Sequence, residues 1–119
     1  MVNPKVMLIE DDASMRSLLT TLLEIEGYQV AKGSDQASET EQVEVIRREK
    51  PDAVLMDVHL RTGSGIEILR QLRADTELKN VRVIMTSGMD VQDECMDVGA
   101  NGFLMKPYMP DELIRKLKG

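Results

Sequence analysis

Three observations predict an α/β fold built on a doubly wound parallel sheet. Short apolar runs alternate with helical patterns five times along the 119 residues. Four of these runs are continuously apolar, as strands covered on both faces are. Each run stops at polar or turn residues and gives way to an amphipathic stretch, the order that produces parallel strands joined by crossover helices. A chain of this length buries roughly 65% of its unfolded surface, enough for one self-sufficient core. Residues 1–119 therefore read as a single domain.

The elements follow in order. Val6-Met7-Leu8-Ile9 is the first strand and stops at Glu10-Asp11-Asp12. Met15, Leu18, Leu19 and Leu22 recur at i, i+3, i+4 and i+7, an amphipathic helix closed by Gly27. Tyr28 to Ala31 is a more mixed strand, which places it at a sheet edge, and Lys32-Gly33-Ser34-Asp35 reads as a turn. Ala37 to Arg48 is a helix with Val43 and Ile46 inward, ended before Pro51. Ala53 to Met56 is the third strand, ending at Asp57. Gly63-Ser64-Gly65 precedes a helix with Ile66, Leu69 and Leu72 on one face. Val81, Val83, Ile84 and Met85 form the fourth strand, ending at Thr86-Ser87-Gly88. Val91, Cys95 and Val98 space a short helix that stops at Gly99. Phe103-Leu104-Met105 is the fifth strand and ends at Lys106-Pro107. Pro110 opens the last helix, with Leu113, Ile114 and Leu117 inward.

Composition excludes several function classes. Apolar residues make up 42% and charged residues 30%, which is not a disordered composition. The net charge of −6 argues against direct nucleic-acid binding, and three aromatics cannot form a base-stacking platform. The single cysteine, Cys95, excludes an internal disulfide framework and a multi-cysteine zinc site, and its place on the apolar side of a helix makes it inert. The longest apolar runs are four residues, far short of a membrane span. The Met1-Val2-Asn3-Pro4-Lys5 lead-in carries no signal-peptide pattern, so a cytoplasmic location is the expectation. The nine methionines read as core filling.

In sheets of this kind, ligands sit at the carboxyl ends of the strands. Those ends bring together Glu10 and Asp11, Asp57, Thr86 and Ser87, and Lys106. Three carboxylates would repel one another unless a cation neutralises them. Oxygen ligands in small number suit Mg²⁺, which keeps several waters. Lys106 and a hydroxyl suit a phosphoryl oxyanion. A carboxylate facing Mg²⁺ and a lysine can act as nucleophile and hold an acyl phosphate. Asp12 reads as a helix cap. His59, a lone histidine in a loop, reads as exposed.

Four segments together carry a resemblance: Leu8-Ile9-Glu10-Asp11-Asp12, Val54-Leu55-Met56-Asp57, Val83-Ile84-Met85-Thr86-Ser87, and Gly99 through Pro107. In that order, on those strands, the chain resembles the receiver domain of two-component response regulators and is similar to the single-domain chemotaxis regulators. The resemblance covers essentially the whole chain. It implies a flavodoxin-like (βα)5 fold with strand order 2-1-3-4-5. It implies a signalling domain, not a free-standing enzyme, that accepts a phosphoryl group on Asp57 from a sensor histidine kinase or histidine phosphotransfer protein. Glu10, Asp11, Asp57 and the main-chain carbonyl of His59 would hold Mg²⁺. Lys106 and Ser87 would contact the phosphoryl group, with Ser87 and Phe103 as switch residues. Ser87 is preferred to Thr86 because the family's hydroxyl residue precedes a small residue, here Gly88. An output partner, a fused output domain or a second copy of the chain (a homodimer) would use the face of the fourth helix, fifth strand and fifth helix.

The pattern also departs from the family. Arg61 replaces a usual proline and Ser64 a usual acid, which implies a more mobile loop with an added cation. The stretch from Ser87 to Gly99 is about one helical turn short, so a brief fourth helix or a tight loop leading into it is expected. The Lys106–Pro107 bond is expected to be cis, because the strand must stop abruptly while Lys106 turns across the rim. A haloacid-dehalogenase-type phosphatase shares the strand-end Asp, hydroxyl, Lys and Mg²⁺, but carries a second Asp where this chain has His59. A flavodoxin-type flavin carrier needs a hydroxyl- and glycine-rich loop where this chain has three acids.

Overall fold

The computed structural model describes residues 3–34 and 36–119. Met1 and Val2 of the lead-in, and Asp35 of the turn expected at Lys32–Asp35, lie outside the described residues. Five parallel strands form one sheet: β1 (Lys5–Ile9), β2 (Gln29–Lys32), β3 (Ala53–Asp57), β4 (Arg82–Ser87) and β5 (Gly102–Met105), in the order β2-β1-β3-β4-β5. The mixed Tyr28 run is the edge strand, one residue later than expected. Five helices alternate with the strands: α1 (Ala13–Ile25), α2 (Glu39–Glu49), α3 (Gly65–Ala74), α4 (Gln92–Val98) and α5 (Pro110–Lys118).

Strand alternation divides the core into two layers. Val6, Leu8, Leu55, Ile84 and Leu104 face Leu19 and Leu23 of α1 and Leu113 and Leu117 of α5. Met7, Ile9, Val54, Met56, Val83, Met85 and Phe103 face residues of α2, α3 and α4, among them Ile46, Leu69 and Cys95. Burial on both faces explains why these runs read as continuously apolar. The methionines correct the sequence expectation. Met7, Met56 and Met85 are fully buried, but Met89, Met96, Met105 and Met109 are 61%, 42%, 48% and 65% exposed. They stand on the β4–α4 loop, α4, the end of β5 and the N-cap of α5, positions where helical or strand spacing does not guarantee a covering neighbour.

Three helices begin on side-chain caps. Asp12 accepts from Met15 N–H at 2.9 Å, Ser38 from Glu41 N–H at 3.2 Å in a reciprocal capping box, and Ser64 from Glu67 N–H at 3.4 Å. The fourth helix is brief, as expected, at seven residues. The segment after Asp57 is not an irregular loop. His59–Leu60 and Gly63–Ser64 pair as a small antiparallel hairpin. Thr62 Oγ donates to the carbonyl of Ala37 at 2.5 Å, and Ser64 N–H donates to the Glu39 carboxylate at 2.7 Å.

Candidate functional site

The parallel register brings the strand ends to one rim. Ile9 lies opposite Met56, and Asp57 opposite Thr86, so the residues that follow β1 and those that end β3 and β4 emerge together. Lys106 follows β5, and its main-chain N–H donates to the carbonyl of Ser87 at 2.8 Å. The Lys106–Pro107 bond is cis, as the sequence led us to expect. From this anchor the Lys106 ammonium reaches across the rim. It donates to Glu10 Oε1 at 2.8 Å and to Asp57 Oδ2 at 2.9 Å. Both carboxylates are largely buried, with 5% and 13% of their side-chain surface exposed.

Burial penalises the ionised form of Asp57 and raises its pKa. The hydrogen bond and charge of Lys106 oppose this, the charge of Glu10 adds to it, and the His59 N–H lowers it again. Burial would lower Lys106, but its hydrogen bonds to Glu10 and Asp57 outweigh that and its pKa is raised. Asp57 is thus a carboxylate whose charge is incompletely compensated, next to a firmly protonated lysine.

Glu10 is further placed by Asp12 N–H, which donates to its Oε2 at 3.2 Å. Asp11 is half-buried and turns the other way, accepting from the Arg61 N–H at the hairpin tip. The Arg61 and His59 side chains are exposed. Ser87 is fully buried, and its Oγ accepts from Met89 N–H at 3.0 Å, which leaves its proton free to donate. Thr86 is also buried, and its carbonyl accepts from Val58 N–H at 2.8 Å. Phe103 is buried opposite Met85, while the register partner of Ser87 is Met105. Ser87 and Phe103 therefore share a face two residues apart and are not a directly opposed pair.

Glu10, Asp11, Asp57, Ser87, Lys106 and the His59 backbone are thus gathered on one rim. Three carboxylates against one ammonium leave a formal charge of −2 on oxygen ligands alone, a donor set that fits a hard divalent cation. Among the described residues, no three acidic, histidine or cysteine side chains converge closely enough to hold a metal unaided. The Asp11 carboxylate, turned toward the Arg61 N–H, does not close on Glu10 and Asp57 as a three-carboxylate cluster in this structure.

Sequence reasoning missed two supporting residues. Gly65 must be glycine because a Cβ there would lie 2.1 Å from the Asp57 carbonyl and 3.1 Å from Met85 Cε. The Gly63-Ser64-Gly65 string signalled a turn but not this contact. The Tyr108 hydroxyl, two residues past Lys106, is buried with no hydrogen-bond partner, and burial pushes its pKa up to about 12. Nothing in the local sequence marks that hydroxyl.

Comparison with known proteins places this chain in a family. The family model for the response regulator receiver domain matches residues 6–118. The phosphate regulon transcriptional regulatory protein PhoB of Pseudomonas aeruginosa is 33% identical over 122 residues, 99% of this chain and 52% of that protein. The DNA-binding response regulator MtrA of Mycobacterium tuberculosis is 33% identical over 116 residues, 96% of this chain and 49% of that protein. The chain spans about half the length of these curated relatives. The chemotaxis response regulator CheY4 of Vibrio cholerae superposes with a TM-score of 0.86 at 25% identity, covering 98% of each chain. The receiver domain of the sensor histidine kinase PA1611 from P. aeruginosa, with a magnesium ion coordinated in its active-site cleft, gives 0.85 at 28% identity, covering 98% of this chain and 96% of that one. By sequence and by fold, this chain belongs to the response regulator receiver domain family of two-component signalling.

Proposed function

We propose that residues 1–119 form one receiver domain that accepts a phosphoryl group on Asp57 and relays its arrival to a partner. The observation that carries this reading is the Lys106 ammonium held between Glu10 and Asp57 at 2.8 and 2.9 Å. It leaves Asp57 as a buried strand-end carboxylate with a cation beside it. The donor is a phosphohistidine of a sensor histidine kinase or histidine phosphotransfer protein. An Asp57 oxygen forms the new P–O bond as the P–N bond to the donor imidazole breaks, and the imidazole takes up a proton as it leaves. Glu10, Asp11, Asp57 and the His59 carbonyl would hold Mg²⁺, which when bound neutralises charge on the phosphoryl oxygens. Lys106 exchanges its carboxylate partners for a phosphoryl oxygen, and Ser87 donates its free proton to another.

The output face is that of α4, β5 and α5. Its support is the four exposed methionines on or beside those elements, flexible apolar side chains suited to a protein partner, a fused output domain or a second copy of the chain. The net charge of −6 disfavours direct nucleic-acid contact by this domain itself. No described helix is long and apolar enough to cross a membrane, and we place the domain in the cytoplasm with its kinase. No observation favours the haloacid-dehalogenase-type alternative.

Incubation with acetyl phosphate and Mg²⁺, followed by mass spectrometry, tests the reading. One phosphoryl group is expected, mapped to Asp57, and none on Asp57→Asn. Undiminished labelling of that variant would overturn the assignment.

A further inference from the structure

The hairpin after Asp57 is tied to the start of α2. Glu39, the first residue of α2, accepts the Ser64 N–H at 2.7 Å. Thr62 Oγ holds the Ala37 carbonyl just ahead of that helix at 2.5 Å. On the other side of the hairpin tip, Arg61 N–H is held by the Asp11 carboxylate. A continuous run of hydrogen bonds therefore links the start of α2, the hairpin and the acid pair. Gly63 fits this arrangement closely. A Cβ at Gly63 would lie 2.6 Å from Glu39 Cγ and 2.6 Å from its Oε2, so any larger residue evicts the Glu39 side chain. The φ of Gly63 is not positive, so its conformation alone does not require glycine.

We propose that Glu39 is a positioning residue for the cation-binding side of the site, and that Gly63 is glycine to admit it. This rests on the receiver reading above. By fixing Ser64 N–H, the Glu39 carboxylate holds both legs of the hairpin in register, and with them the His59 carbonyl and the Arg61 N–H that orients Asp11. It does the work that a rigid residue at position 61 would otherwise do, since Arg61 places no constraint on its own φ.

The test uses Glu39→Ala, Glu39→Gln, Gly63→Ala and the Glu39→Ala/Gly63→Ala double variant of the full chain. Two quantities are read: amide hydrogen exchange of residues 59–64 without metal, and the Mg²⁺ dissociation constant by calorimetry. Glu39→Ala and Gly63→Ala should each speed exchange at Arg61 and Ser64 and weaken Mg²⁺ binding about three- to tenfold. Glu39→Gln keeps the acceptor oxygen while losing the helix-terminal charge, so it should stay within about twofold of the parent. The double variant should be no worse than Glu39→Ala alone, because the residue that Gly63→Ala evicts is already gone. Unchanged exchange and Mg²⁺ affinity in Glu39→Ala, failure of Glu39→Gln to rescue, or additive losses in the double variant would each overturn the proposal. A parent chain that binds no Mg²⁺ would overturn the receiver chemistry instead, and exchange at Arg61 and Ser64 would still decide whether Glu39 holds the hairpin.

Discussion

The rim around Asp57 and the rim around Ser87 are held in different ways. On the Asp57 side, α1, α2 and α3 start on Asp12, Ser38 and Ser64, each with a side-chain cap. Lys106 bridges two carboxylates, and the hairpin is tied to Glu39, Ala37 and Asp11. On the Ser87 side, α4 starts at Val91, which has no capping atom to offer, and the nearest help is a stretched 3.5 Å contact from Gln92 N–H to Asp90. That helix is seven residues long, near the lower limit of what persists by packing alone. Its loop is pinned mainly by Met89 N–H on Ser87 Oγ. Elements that move are drawn from the least stabilised parts of a fold. One half of the site is held by side-chain caps and ion pairs, and the other half by few such contacts. Ser87 joins them, since the hydroxyl that would meet a phosphoryl group now holds the start of the loose segment.

Four variants would break or sharpen this contrast. Lys106→Met removes the bridging cation of the Asp57 side. The initial rate of labelling by acetyl phosphate should fall about 10²- to 10³-fold; a loss under about threefold would mean that Lys106 is merely a structural ion pair. Asp11→Asn takes a formal charge from the cation-binding side and should weaken Mg²⁺ about tenfold in calorimetry. An unchanged constant would move the metal site away from Asp11. Val91→Thr supplies the hydroxyl that α4 lacks at nearly the same shape. It should slow amide exchange in α4 and stabilise that helix by about 0.5–1 kcal/mol. Exchange no slower than in the parent would show that α4 is not limited by its missing cap.

The smallest effect concerns pH. Burial raises the pKa of Asp57 above its ordinary 3.8, so the fold disfavours the ionised form. The stability linked to this group is fully present below the unfolded pKa and is lost as pH rises through the raised folded value. Asp57→Asn escapes that loss. Without metal it should melt above the parent at pH 7, and the difference should vanish near pH 3.8. A lower melting temperature at pH 7 would mean that the attraction to Lys106 outweighs the cost of burying the charge.

Much of this was legible in the sequence for a physical reason. Strand and helix periodicities are local, and the sheet's parallel order forces strand-end residues onto one rim, so Glu10, Asp11, Asp57 and Lys106 could be grouped before any coordinates. Asp12 as a cap, the edge position of the Tyr28 run, buried Cys95, and the short α4 follow from equally local signals. What was not legible depends on distant backbone groups. Glu39 meets Ser64 across 25 residues, and Arg61 meets Asp11 across 50, with no repeating pattern to announce either contact. A small hairpin therefore stands where the sequence suggested only a loop. The exposed methionines were misread for a related reason: spacing identifies one face of an element, but whether anything covers that face is decided by tertiary packing.

Amide spectra of the free chain and of the chain phosphorylated with acetyl phosphate and Mg²⁺ test the division most directly. Large shifts are expected at Ser87, through Met89 to Gly99 and at Phe103, with smaller ones along α1 to α3 away from Asp57. Shifts confined to the neighbourhood of Asp57 would contradict the account, and the α4–β5–α5 surface would lose its claim as the output face.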